Sequence, residues 1–255
     1  MRPAPVRMQA KDKGVAVARA IVERLGGRLS SELGLDLDSR PQDVERWLLV
    51  ASLFGHPIFS STVVRTVQSL SEGGVRTPAD AGHRSWDELV QLLDAGGYVR
   101  YDFRTATRLQ DLARAVSEQL GGSVGDLRSA SREDLEAALG RLPGFGPVTS
   151  RIFLRELRGV WPGARPTLDS RALWAAGHLG LAPARERGAL RRLSALAARA
   201  GVDLRDLEAG LIRLQLQHRR GRECPGGGGC VVLATSQPAG RNPEKETKSE
   251  ATRAS

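Results

Sequence analysis

The segment Leu142-Pro143-Gly144-Phe145-Gly146-Pro147-Val148-Thr149 carries the clearest chemical potential in this 255-residue chain. Two glycines one residue apart let the backbone turn tightly and approach a surface without Cβ obstruction. A helix that starts just beyond them presents free N–H groups at its N-terminus, where a phosphate oxygen can be held. Such a contact ignores base identity and sets register along a duplex. Taken alone, the same Pro-Gly-x-Gly turn is a plain connection between helices. Downstream, Asp169 lies in Arg165-Pro166-Thr167-Leu168-Asp169-Ser170-Arg171, just ahead of an expected helix, where an aspartate ordinarily serves as an N-cap.

Composition bounds what these residues can meet. The net charge of +9 favours a polyanionic partner or an acidic membrane surface. Almost all of the positive charge is arginine, a bias that genome base composition explains equally well. The only lysines are Lys11, Lys13, Lys245 and Lys248, all near the ends. Two cysteines, Cys224 and Cys230, cannot build a disulfide framework at this length, so a reducing compartment is expected. No apolar run reaches the roughly 18 residues that span a bilayer. Residues 1–14 are basic but have no apolar core of a secretory signal. The expectation is a protein of the cytoplasm, with no membrane partner.

The elements that must position the turn read as helices. Apolar residues recur at three- and four-residue intervals in Val15, Ala18, Ile21, Val22 and Leu25, then Gly26-Gly27 stops the pattern. Pro41 opens a helix with Val44, Trp47, Leu48 and Ala51 on one face. Ser60 or Ser61 is the expected cap of the next, and Ser85 with Glu88 forms a capping-box pattern. Further helices are expected over 102–120, from Ser131 through Leu139, over 148–157, from Ser170 to about Gly180, and over 187–200 and 204–218. Period-2 alternation of β-branched residues is missing, and Val231-Val232-Leu233 is too short to count as a strand. An all-α globule is expected, with residues 1–13 and 221–255 disordered.

The run Leu-Pro-Gly-x-Gly-x-x-Thr, followed by Ser150, Ile152, Phe153 and Leu154, resembles the hairpin of the helix-hairpin-helix DNA glycosylase superfamily, in its endonuclease III-like branch. The likeness extends from about Arg19 to Leu216. Trp47–Phe54 resembles an early core helix, and Gly96-Gly97-Tyr98 followed by Arg104–Leu109 resembles a Gly-x-Tyr turn with its helix. The resemblance implies a six-helix barrel, residues 41–160, beside a second helical domain built from both chain ends, 14–40 and 161–220, with duplex DNA in the cleft between them. It implies a monomer acting near the nucleoid, and backbone or phosphate contacts from Leu142, Gly144, Phe145, Gly146, Val148, Thr149 and Arg151.

By the same resemblance Asp169 is the catalytic carboxylate. Cleaving an N-glycosidic bond builds positive charge on the deoxyribose, which a fixed carboxylate stabilises while orienting or deprotonating a water. The base must first leave the stack, so a pocket and a wedge are needed. Candidates for the wedge are His56 and Phe59 with Ile58, where His56 and Phe59 are equally readable as loop and core residues, and candidates to stack on a base are Tyr98, Tyr101 and Trp47, which read more readily as core. Arg100, Arg104 and Arg155 stand between phosphate contacts and a solvated helix face. Members of the family that also nick the strand use a hairpin lysine. Its counterpart here is Val148, and no lysine lies between Lys13 and Lys245, so lyase chemistry is not expected. Many relatives hold an iron–sulfur cluster on four cysteines. Cys224 and Cys230 resemble the last pair, but two thiolates do not hold such a cluster. A degenerate remnant is preferred over His218 as a third ligand, so no metal and no cofactor are assigned. The function implied is a monofunctional DNA N-glycosylase of base excision repair. The alternative is a non-catalytic DNA-binding protein of the same fold that recognises damage or structure.

Overall fold

The computed structural model describes residues 10–56, 58–218 and 224–235. The expected disorder of residues 1–9 and of most of the tail falls outside the described residues, whereas residues 10–13, expected to be disordered too, form the first turn of a helix. Among them every extended element is helical, and only an isolated bridge between Arg158 and Trp161 has β geometry. The chain is all-α. None of the described helices is long and apolar enough to cross a membrane.

Contacts divide the chain into two compact units, one of residues 1–28 with 167–255 and one of residues 29–166. The first unit begins with α1 (Ala10–Leu25). The second unit follows in chain order with α2 (Leu29–Glu32), α3 (Pro41–Ser52), α4 (Ser60–Glu72), α5 (Pro78–Gly82), α6 (Trp86–Ala95), α7 (Asp102–Gln119), α8 (Arg132–Gly140) and α9 (Pro147–Glu156). The chain then returns to the first unit with α10 (Ser170–His178), α11 (Glu186–Ala200), α12 (Leu204–His218) and α13 (Val231–Thr235).

Local chemistry explains most boundaries in the 29–166 unit. Pro41 occupies the first turn of α3, where its missing N–H costs nothing. Ser85 accepts from the Glu88 amide while the Glu88 carboxylate accepts from Ser85, a reciprocal cap for α6. The same device, Thr77 with Asp80, starts the unexpected short helix α5. Helix α4 begins at Ser60 with Phe59 in the cap position and no side-chain cap, so neither serine plays the expected role. Trp47, Tyr98 and Phe153 are the bulkiest fully buried side chains here. The Trp47 indole donates to the Phe153 carbonyl at 3.2 Å, joining α3 to α9. Phe153 also packs edge-on against Phe145 and Trp161, with centroids 6.1 and 6.0 Å away.

Two boundaries differ from those read in the sequence. Residues 29–40 pack with the 29–166 unit, because Leu29, Leu35 and Leu37 are buried in its core. The buried Glu156 carboxylate reinforces this by accepting the Leu29 and Ser30 amides at 3.2 and 3.0 Å. Residues 161–166 belong to the same unit, where Trp161 and Ala164 are buried. The second difference is at 224–235, expected to be disordered. There Cys230, Val232 and Leu233 are buried in the core of the first unit. Arg24 donates to the Leu233 carbonyl at 2.8 Å, tying that segment to α1. Three apolar side chains and one backbone anchor outweigh the entropy that a glycine-rich composition suggests.

Candidate nucleic-acid interface

In the 29–166 unit, α8 and α9 are joined by the predicted turn. The Phe145 amide donates to the Leu142 carbonyl at 3.0 Å, with Pro143 and Gly144 between them. Gly144 has φ +82°, and an added Cβ there would sit 2.5 Å from Cδ of Arg108, so glycine is required on both counts. Leu142 and Phe145 sink into the core, as does Thr149, so their side chains anchor the turn rather than meet a partner. What faces outward is backbone together with the Pro147 and Val148 side chains. Gly146, Pro147 and Val148 are exposed, and space beside Gly146 is open. Helix α9 starts at Pro147 with no side-chain cap, leaving the amides of its first turn to an outside acceptor. Arg151, one turn along, is half-buried.

Arg108 was not among the expected site residues, yet it connects three of the segments that were. Its stem packs beneath Gly144, and its guanidinium lies against Gly55. One terminal nitrogen is 3.2 Å from Nε2 of His56, and the other donates to Thr105 at 3.4 Å. The His56 ring stacks on Tyr101, centroids 4.2 Å apart and planes 4° from parallel. The Arg100 guanidinium lies 5.5 Å from the Tyr101 ring, at cation–π range. His56 and Tyr101, weighed separately in the sequence, are thus one stack braced from the hairpin side by an arginine. The available sequence signal was Arg104 and Arg108, one helical turn apart on α7.

The other aromatic candidates separate. Tyr98 is 1% exposed and its hydroxyl donates to the Leu53 carbonyl, so it is a core residue with no face for a base. Phe59 is 75% exposed, the most exposed large apolar side chain among the described residues.

Burial, then the positive charges of Arg108 and Arg104, holds His56 below the ordinary imidazole value. The neutral ring is therefore the folded form near neutrality. Because the folded pKa is depressed, the associated stability is complete above about pH 6.5 and is lost as pH falls through the depressed value. A His56 ring-proton NMR titration is expected to give a midpoint below 6.5, and Arg108→Gln is expected to move it upward. A midpoint unmoved by that substitution would remove Arg108 from the stack.

In the other unit, Asp169 caps α10. Its carboxylate accepts the Arg171 amide at 2.9 Å, and its second oxygen lies 3.9 Å from the Arg171 guanidinium. The Asp169 amide donates to the fully buried Glu208 at 3.0 Å, so the backbone at this corner is pinned from α12. The side chain is 12% exposed. The N-cap role read from the sequence is present, and its anchor Glu208 lies 39 residues along the chain, beyond the reach of local sequence signals.

The same unit gathers His178, His218, Cys224 and Cys230, one ligating atom of each lying within 4.8 Å of all the others. The chain has two cysteines, so this set does not supply the four thiolates of the iron–sulfur cluster that the resemblance brings to mind. It is nevertheless a group whose geometry could hold a metal ion, where the sequence suggested a degenerate remnant. His178 carried no signal in the sequence, because its partners lie far along the chain. No family model matches this chain, and no curated protein matches it.

Proposed function

We propose that this protein is a DNA-binding helix-hairpin-helix protein and a monofunctional DNA N-glycosylase. The 29–166 unit would be the six-helix barrel of that fold, carrying the hairpin, and the unit from both chain ends would be its companion. The observation that carries the reading is the uncapped N-terminus of α9 behind a glycine-hinged turn that Leu142 and Phe145 anchor in the core. Such a corner offers backbone amides flanked by the apolar side chains of Pro147 and Val148, with no polar side chain of its own to read a base edge, which suits a phosphate. The +9 charge of the chain favours the same partner.

On this reading the hairpin grips the sugar-phosphate backbone and Phe59 or the His56–Tyr101 stack occupies the gap left by the extruded base. Asp169 stabilises the positive charge that develops on the sugar and orients the attacking water. Hydrolysis then yields the free base and an abasic site. With valine at position 148 and no lysine between 13 and 245, the sugar is not captured as a Schiff base and the strand stays whole. Chromosomal duplex is the substrate, so the protein would work at the nucleoid, as a monomer and without a redox centre.

Duplexes bearing uracil, an alkylated purine or an oxidised base test this directly. Base release from at least one, with no nick and no borohydride-trapped complex, is the expected result. Affinity is expected to fall steeply with salt. Salt-sensitive binding without any base release would instead support the non-catalytic reading. One observation favours that alternative: both Asp169 oxygens already face Arg171, one bonded to its amide and one near its guanidinium.

A further inference from the structure

The cluster of His178, His218, Cys224 and Cys230 comes from three separate stretches of the unit formed by both chain ends. His178 ends α10, His218 ends α12, and the two cysteines frame the glycine-rich loop before α13. Nε2 of His218 is 3.3 Å from Sγ of Cys230, and the two imidazole rings are 4.6 Å apart. His178 Nε2 is buried and makes no hydrogen bond, an arrangement that costs free energy unless something else engages the ring. The cysteines are not joined in a disulfide.

We infer that these four side chains form a mononuclear, tetrahedral zinc site that fastens the 224–235 segment to α10 and α12. The inference goes beyond the glycosylase reading and does not rest on it. Zn–S bonds of about 2.3 Å and Zn–N bonds of about 2.0 Å place tetrahedral neighbours about 3.3–3.8 Å apart, so a set already inside 4.8 Å closes on the ion through side-chain rotation. A two-iron cluster with the same ligand types would hold the cysteine pair and the histidine pair on different irons, which would spread the pairs apart. Here one histidine touches one cysteine. Mixed thiolate and imidazole ligation suits zinc above the oxygen-seeking cations.

The surroundings suit a metal thiolate. The Val231 amide donates to Sγ of Cys224 at 3.2 Å, an N–H to sulfur bond that orients the ligand and offsets its charge. Gly226 has φ +76°, and a Cβ there would sit 2.7 Å from the His178 carbonyl. Only glycine lets the cysteine loop lie this close to the end of α10. Trp174 stacks on His178, centroids 5.0 Å apart, and meets His218 edge-on at 5.4 Å, so an aromatic wall flanks the ligands. On binding, two thiols release their protons to solvent, two neutral imidazoles donate lone pairs, and the two thiolate charges cancel that of Zn²⁺.

The test uses the full-length, tag-free chain, with zinc and cobalt(II) as probes. The expected result is one zinc per chain, held against a chromophoric chelator. Cobalt(II) is expected to give the intense visible absorption of a tetrahedral site together with a thiolate charge-transfer band. Cys224→Ser with Cys230→Ser, and separately His178→Asn, are expected to lose stoichiometric binding. Chelation is expected to lower the wild-type melting temperature and to leave the double cysteine variant unmoved. Because the wild-type cobalt spectrum is read directly, a variant that folds poorly does not decide the matter. Four results would overturn the proposal: no stoichiometric zinc in the wild type, a six-coordinate cobalt spectrum, equal uptake by the variants, or iron with acid-labile sulfide in place of zinc.

Discussion

Asp169→Asn is expected to fold like the parent chain and to lose base release by a factor on the order of 10²–10⁴. The substitution is isosteric and keeps the one property the fold requires at that position. An asparagine oxygen accepts the Arg171 amide as the carboxylate does, and asparagine caps helices about as well as aspartate. The bond from the residue 169 amide to Glu208 belongs to the backbone and is untouched. Stability is therefore expected to stay within roughly 0.5 kcal/mol of the parent, by urea denaturation. What disappears is the negative charge, and with it the electrostatic stabilisation of a cationic sugar and the base for water. Asp169→Ala is the less informative variant, because losing the cap costs about 1 kcal/mol in its own right. If the asparagine variant releases base at the parental rate, Asp169 is a cap and nothing more, and the enzymatic reading falls with it.

The largest expected effect on stability is at Trp47. Replacement by alanine is expected to destabilise the 29–166 unit by about 3–5 kcal/mol, since a fully buried indole leaves a cavity that its neighbours fill only in part. The donor to the Phe153 carbonyl goes as well. Phe153 lies on α9 and packs against Phe145 of the turn, so the loss reaches the hairpin from beneath. Native-state hydrogen exchange localises the effect: amides of α3 and α9 are expected to lose protection, while those of α10–α12, in the other unit, keep theirs. Equal loss in both units would show that they unfold together. Trp47→Phe keeps an aromatic body in the core and is expected to cost less than the alanine variant.

Some of this architecture is written locally. The helical period, the Ser85–Glu88 capping box, Pro41 in a first turn and the Pro143–Gly144 turn depend on neighbours a few residues apart, and each was legible without coordinates. The Thr77–Asp80 box is equally local, but five helical residues carry too little periodicity to announce a helix. Segments that are polar or glycine-rich by composition are harder to judge. The burial of Val232 and Leu233 depends on a surface supplied by α1 and α12, which composition does not reveal.

The candidate site divides along the same line. Sequence alone placed the hinge glycines, the aspartate ahead of α10 and the absence of any lysine between 13 and 245, because each is a matter of residue type and spacing. Only the tertiary structure decided that Tyr98 belongs to the core and Tyr101 to a stack with His56. It alone put Arg108 under the hairpin and brought His178 to two cysteines far along the chain. The physical reason is range. Turns and caps are short-range hydrogen bonds that a chain makes with itself, whereas a ligand set or a buried ring exists only once distant segments have packed and excluded water between them.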